Sequence, residues 1–137
     1  MNTIQSVKLT NNNAENWSVN CVDTGAETQT GGRLKRVEKY LTPGESFLFT
    51  YGDGVGDIDI QKVIESHNLS QKMATVTAVN PPGRFGAIDL QNNQVRSFRE
   101  KPKGDGAFVN GGFFVLSPKV LNRLIDDNTI WEQRPLI

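Results

Sequence analysis

Phe47-Leu48-Phe49-Thr50-Tyr51-Gly52-Asp53-Gly54 joins a short apolar, aromatic-rich run to an acid held between two glycines. A run of this kind bounded by Gly44 and Gly52 has the pattern of a strand buried on both faces. Downstream, Ile60, Val63, Ile64 and His67 share one helical face, with Asp57 placed to cap the helix and Asn68 to end it. Met73-Ala74-Thr75-Val76-Thr77-Ala78-Val79 then reads as a second buried strand. Strand, helix and strand in so short a stretch predict a right-handed parallel unit, and hence the α/β class.

Working outward, Leu34, Val37 and Leu41 recur at helical spacing from Arg33, with Lys35, Arg36 and Lys39 left for solvent and Pro43-Gly44 closing the segment. Ahead of it, Trp17 to Val22 alternates as a strand does, and Asp23-Thr24-Gly25 opens a loop that runs to Thr30-Gly31-Gly32. The asparagine-rich start has no period, so residues 1–16 are expected to be a poorly specified segment before one domain over 17–137. Beyond Pro81-Pro82-Gly83, the runs Ala87 to Leu90 and Val95 to Arg99 flank Asn92-Asn93 and predict a hairpin extension. Ala107 to Leu116 reads as a further strand broken by Gly111-Gly112, and Ser117-Pro118 caps a helical turn carrying Val120, Leu121, Leu124 and Ile125.

Fifteen basic and fifteen acidic residues cancel, so no global field draws the 137-residue chain to nucleic acid or to an anionic membrane. An apolar fraction of 36% and a mean hydropathy of -0.43 make a lean core, and thirteen glycines suggest tight turns or close approaches. A single cysteine, Cys21, excludes an internal disulfide or a thiolate cluster and is expected to pack within its strand. No apolar run long enough for a leader or a span is present, which suits a cytoplasmic setting.

Open α/β sheets bind ligands beyond the carboxyl ends of their strands, and Asp53 occupies such an end. Its flanking glycines allow a phosphate and a hydrated Mg²⁺ to approach the backbone, although a turn aspartate gives the same letters. Thr28, Thr30, Gly31, Gly32 and Arg33 lead into a helix where amides, a hydroxyl and a guanidinium suit a phosphate or base edge; simple capping is the bland alternative. Lys101 suits a sugar phosphate and Glu100 suits sugar hydroxyls, while Asn110-Gly111-Gly112 is either a polar reader or a bulge. His67, with no metal-ligating neighbour in sequence, is read as structural.

Taken together, the blocks Val22-Asp23-Thr24-Gly25, Thr30-Gly31-Gly32-Arg33-Leu34-Lys35-Arg36-Val37, Tyr51-Gly52-Asp53-Gly54-Val55, Pro81-Pro82-Gly83-Arg84-Phe85-Gly86, Glu100-Lys101-Pro102 and Asn110-Gly111-Gly112-Phe113-Phe114-Val115 resemble the glucose-1-phosphate cytidylyltransferases of the sugar nucleotidyltransferase superfamily. The resemblance runs from about Trp17 to Leu136 and implies a Rossmann-like sheet, mixed and mostly parallel. It implies transfer of a cytidylyl group from CTP to α-D-glucose 1-phosphate, giving CDP-glucose and pyrophosphate for surface-polysaccharide synthesis, in a family where homo-oligomers are expected. Carried over residue by residue, Asp53 is similar to the Mg²⁺ ligand, Thr28, Arg33 and Gly52 to the nucleotide side, and Gly86, Glu100, Lys101 and Asn110 to the sugar-phosphate side.

The family's Gly-Gly-x-Gly-Thr-Arg loop has no counterpart in residues 1–30, and its second metal aspartate falls after the point matched by Ile137. The expectation is therefore a central fragment, incomplete at both ends of its sheet and inactive alone. Two other functions fit parts of the sequence: a non-catalytic interaction module, or a metal-dependent glycosyltransferase using Asp57-Ile58-Asp59.

Overall fold

The computed structural model describes residues 4–6, 18–81, 87–99 and 108–136. In chain order the elements are β1 (Ile4–Ser6), β2 (Asn20–Val22), α1 (Thr30–Val37), β3 (Phe47–Thr50), α2 (Ile60–Ser70), β4 (Ala74–Val79), β5 (Ala87–Gln91), β6 (Gln94–Arg99) and β7 (Val109–Leu116), with 3-10 turns at Glu38–Tyr40, Pro118–Arg123 and Arg134–Leu136. They divide into two compact units, one made of Met1–Phe47 with Ser117–Ile137 and the other of Leu48–Leu116.

In the first unit β1 and β2 pair antiparallel, Ile4 opposite Val22 and Ser6 opposite Asn20. Cys21 is exposed on β2 and not packed within the strand. Helix α1 begins three residues before the sequence suggests, and the reason is tertiary. The backbone of residues 127–129 meets its first turn: Gln29 N donates to Asp127 O at 2.8 Å, Gly31 N to Thr129 O at 2.9 Å and Gly32 N to the same oxygen at 3.2 Å. These are amides that a helix start leaves without an internal partner. A Cβ on Gly31 would lie 2.7 Å from Thr129 O, and one on Gly32 2.7 Å from the Asp127 backbone, so both glycines are required by this approach. Thr30 completes the seam, donating to Glu132 Oε2 at 2.8 Å and accepting from Trp131 N at 2.9 Å. Among the described residues of the unit, Leu34, Val120, Leu121, Leu124, Trp131 and Pro135 are buried, while Ile125 is exposed.

In the second unit the sheet order is β3-β7-β4, so β3 and β4 are not neighbours and β7 runs between them, antiparallel to β4. The α/β class holds, and the middle strand brings antiparallel pairing into this sheet. Among the described strands β3 is an edge, and its burial alternates, with Leu48 57% exposed. That corrects the reading of Phe47–Tyr51 as buried on both faces: an aromatic-rich run looks doubly covered even where only one face is. β4 is likewise only half buried. Helix α2 is capped by Asp59, not Asp57; the Asp59 carboxylate accepts from Lys62 N at 3.2 Å and pairs with Lys62 Nζ at 2.9 Å. It runs past Asn68 to a left-handed Gln71.

Strands β5 and β6 form the expected hairpin, with Asn92 and Asn93 both at positive φ as a tight two-residue turn requires. Its apolar residues Ile88, Leu90, Val95 and Phe98 are exposed along with the polar ones. Between the pairs Val76–Phe114 and Ala78–Asn110 the ladder shifts register, Thr77 alone facing the Gly111–Phe113 stretch. The glycine pair is therefore a bulge. No helix among the described residues is long and apolar enough to cross a membrane.

Candidate functional site

Asp53 stands in a turn at the carboxyl end of β3, closed by Gly54 N donating to Tyr51 O at 3.2 Å. Its carboxylate is exposed, and among the described residues, apart from the two flanking ones, no atom lies within 4 Å of where a Cβ on Gly52 would sit. Gly52 is also outside the left-handed region, so neither backbone conformation nor packing demands glycine there. An open backbone beside an exposed acid suits one hard-cation ligand that retains its waters. Among the described residues no group of three or more His, Cys, Asp or Glu side chains is placed to hold a metal ion.

Asn110, exposed at the start of the β7 bulge, is held from two sides. Gly112 N donates to its Oδ1 at 2.8 Å, and its Nδ2 donates to Tyr51 Oη at 3.1 Å. The Tyr51 ring is edge-on to Phe49 and Phe114, at centroid distances of 5.8 and 5.9 Å. Nothing in the sequence singled out Tyr51; an aromatic where a strand meets a turn is its only signal.

Thr28 and Arg33 belong to the first unit, whereas Gly52, Asp53 and Asn110 belong to the second. Thr28 is buried, and Arg33 pins its own loop, donating to Thr24 Oγ1 at 2.8 Å and Ala26 O at 3.0 Å. The helix-start amides read from sequence as open to a phosphate are engaged by Thr129 O, as described above. Arg36, left for solvent in the sequence reading, reaches Asp127 with two nitrogens and Thr24 O with a third. The Asp127 bond, ahead of the opposing effect of desolvation, raises the guanidinium above its ordinary range, and the same bond holds the Asp127 carboxyl below its own.

Gly86, Glu100 and Lys101 lie outside the described residues. Asp59 is engaged by Lys62, whose side chain and then amide hold the carboxyl below its usual range, so the Asp57-Ile58-Asp59 pattern works as a helix start. His67 is buried with Nδ1 2.9 Å from Thr75 Oγ1, the structural role expected of it. A cavity of about 190 Å³ between α2 and the sheet is walled by apolar groups such as Phe49, Ile60, Val63 and Phe114 and holds none of these residues; it is a packing gap.

The nucleotidyl transferase family matches residues 4–136, and the chain belongs to that family. Within it, the chain is 60% identical over 123 residues to the glucose-1-phosphate cytidylyltransferase of Salmonella typhi, covering 90% of this chain and 48% of that protein. It is 40% identical over 123 residues to the probable glucose-1-phosphate cytidylyltransferase of Bacillus subtilis (strain 168), covering 89% and 48%. The chain thus spans about half the length of the curated relatives it matches. Among solved structures it is similar to HddC from Yersinia pseudotuberculosis, at 27% identity and a TM-score of 0.55 over 77% of this chain and 47% of that one. HddC has also been solved in complex with GMP-PN.

Proposed function

We propose that this chain is part of an enzyme that transfers a cytidylyl group from CTP to α-D-glucose 1-phosphate, in the cytoplasm where CTP is made. The observation that carries this is the 60% identity to the Salmonella typhi glucose-1-phosphate cytidylyltransferase over a stretch covering 90% of the chain. In the reaction a phosphate oxygen of glucose 1-phosphate bonds to the α-phosphorus of CTP, and pyrophosphate departs with the electrons of the broken P–O bond. Asp53 would hold Mg²⁺, which when bound offsets the charge of the triphosphate. Gly52 leaves the nucleotide room against the backbone, and Thr28 and Arg33 are assigned to the same side. Asn110, with Gly86, Glu100 and Lys101, is assigned to the sugar phosphate.

Calorimetric titration of the chain with CTP in Mg²⁺, against UTP and GTP, tests the reading. CTP should bind most tightly, and Asp53→Asn should remove the Mg²⁺ dependence. Equal affinity for all three nucleotides would overturn it. Formation of CDP-glucose at enzyme-like rates by the isolated chain would overturn only the expectation of inactivity.

A further inference from the structure

The geometry points to Tyr51 as a positioning residue that, together with the Gly112 amide, locks Asn110 in one orientation so that the side-chain amide presents one donor and one acceptor to adjacent hydroxyls of a sugar phosphate. This rests on the assignment of Asn110 to the sugar side.

A backbone N–H can only donate, so the 2.8 Å contact from Gly112 N requires Oδ1, not Nδ2, on that side of Asn110. The flip of the amide is thereby decided by chemistry. Nδ2 then faces Tyr51 and gives one of its two hydrogens to the phenol oxygen at 3.1 Å. One N–H and one lone pair of Oδ1 are left over. Neighbouring sugar hydroxyls, each both donor and acceptor, match that pair.

Tyr51 can hold the amide because it is itself held. Its ring lies edge-on to Phe49 and Phe114, which are 5.4 Å apart between centroids. Across the bulge, Gly112 has φ +80°, and a Cβ there would come within 2.9 Å of Tyr51 Cδ2. Glycine at 112 thus serves two ends: it adopts the left-handed backbone that turns its N–H toward Asn110, and it leaves the ring room to stand beside the bulge. Held from both sides, Asn110 gives up its rotamer freedom before a ligand arrives.

The test uses Tyr51→Phe, which keeps the ring and its packing and removes only the phenol oxygen. By NMR, the Asn110 side-chain amide should be ordered in the parent chain and measurably more mobile in Tyr51→Phe, with thermal unfolding little changed. In titrations with glucose 1-phosphate, Tyr51→Phe should weaken binding roughly threefold to tenfold, the worth of one hydrogen bond. It should have no further effect in an Asn110→Ala background, and inorganic phosphate, which lacks the hydroxyls, should bind equally to both chains. An Asn110 amide as ordered in Tyr51→Phe as in the parent overturns the proposal. So does an equal loss with and without Asn110, which marks a merely structural role. If the parent chain fails to bind glucose 1-phosphate, the sugar-side assignment falls, and with it the proposed presentation to sugar hydroxyls; the NMR comparison alone then decides whether Tyr51 orders the amide.

Discussion

Arg36 and Asp127, 91 positions apart, meet through two parallel hydrogen bonds, Nε to Oδ1 at 2.9 Å and Nη2 to Oδ2. The same guanidinium reaches Thr24 O at 3.0 Å, so one side chain ties the loop before α1 to the turn that supplies the helix-start acceptors. Asp127 is held below its unfolded value, so the pair stabilises the fold fully above about pH 4 and loses its contribution as pH falls through the folded pKa. Urea midpoints measured at pH 7 and pH 3 should show Asp127→Asn flattening the acid loss, with only a modest drop at pH 7 because the pair is exposed. Asp59 shifts in the same direction through Lys62, so part of the acid loss should survive in the variant. An unchanged pH dependence in Asp127→Asn would refute the assignment.

Two glycines separate packing from ligand access. Gly32→Ala pushes a methyl to within 2.7 Å of the Asp127 backbone and should cost about 1–3 kcal/mol in chemical denaturation. Gly52→Ala meets no atom of the described residues beyond its neighbours in sequence, so it should leave stability unchanged or slightly raised while weakening CTP binding severalfold. Equal stability losses in the two variants would show that Gly52 is constrained by the fold and not kept open.

How far the sequence carries can be seen at these same positions. The α/β class, the Asn92-Asn93 hairpin, the Gly111-Gly112 bulge and the structural His67 follow from local chemistry, because turn conformations and strand or helix periods leave marks within a few residues. Gly31-Gly32 looks like a ligand loop because its true neighbour, Thr129, is far away in sequence. Likewise Leu48 reads as core because an edge strand and a central one are spelled with the same residues, and only the sheet order distinguishes them. Asp57 and Asp59 are equivalent caps on paper; Lys62, three residues after Asp59, is the local clue that selects the second.

His67 and Thr75 join the end of α2 to the start of β4 through a 2.9 Å bond in a half-buried setting. His67→Ala should destabilise the chain by roughly 1–3 kcal/mol, combining a lost hydrogen bond with a small gap. Thr75→Val should cost less, and the double variant should cost less than the sum of the two, since both singles break one bond. Strict additivity in thermal unfolding would indicate that the contact contributes nothing.

Asp53 and Asp59 offer the sharpest contrast, because they lie six residues apart and both are exposed, yet among the described residues only Asp59 has a side-chain partner. The Asp59 carboxylate accepts from the Lys62 amide in the first turn of α2 and pairs with the Lys62 ammonium. Asp59→Ala should therefore lower helix stability and leave the Mg²⁺ response of nucleotide binding intact. The Asp53 turn is closed by Gly54 N donating to Tyr51 O and not by the Asp53 carboxylate, so Asp53→Asn should fold with an unaltered unfolding midpoint. Its loss should appear instead in the metal: CTP affinity that rises with added Mg²⁺ in the parent should become indifferent to it. Should Asp59→Ala abolish the Mg²⁺ response and Asp53→Asn retain it, the metal ligand belongs to the α2 cap and the nucleotide reading of the β3 turn is lost.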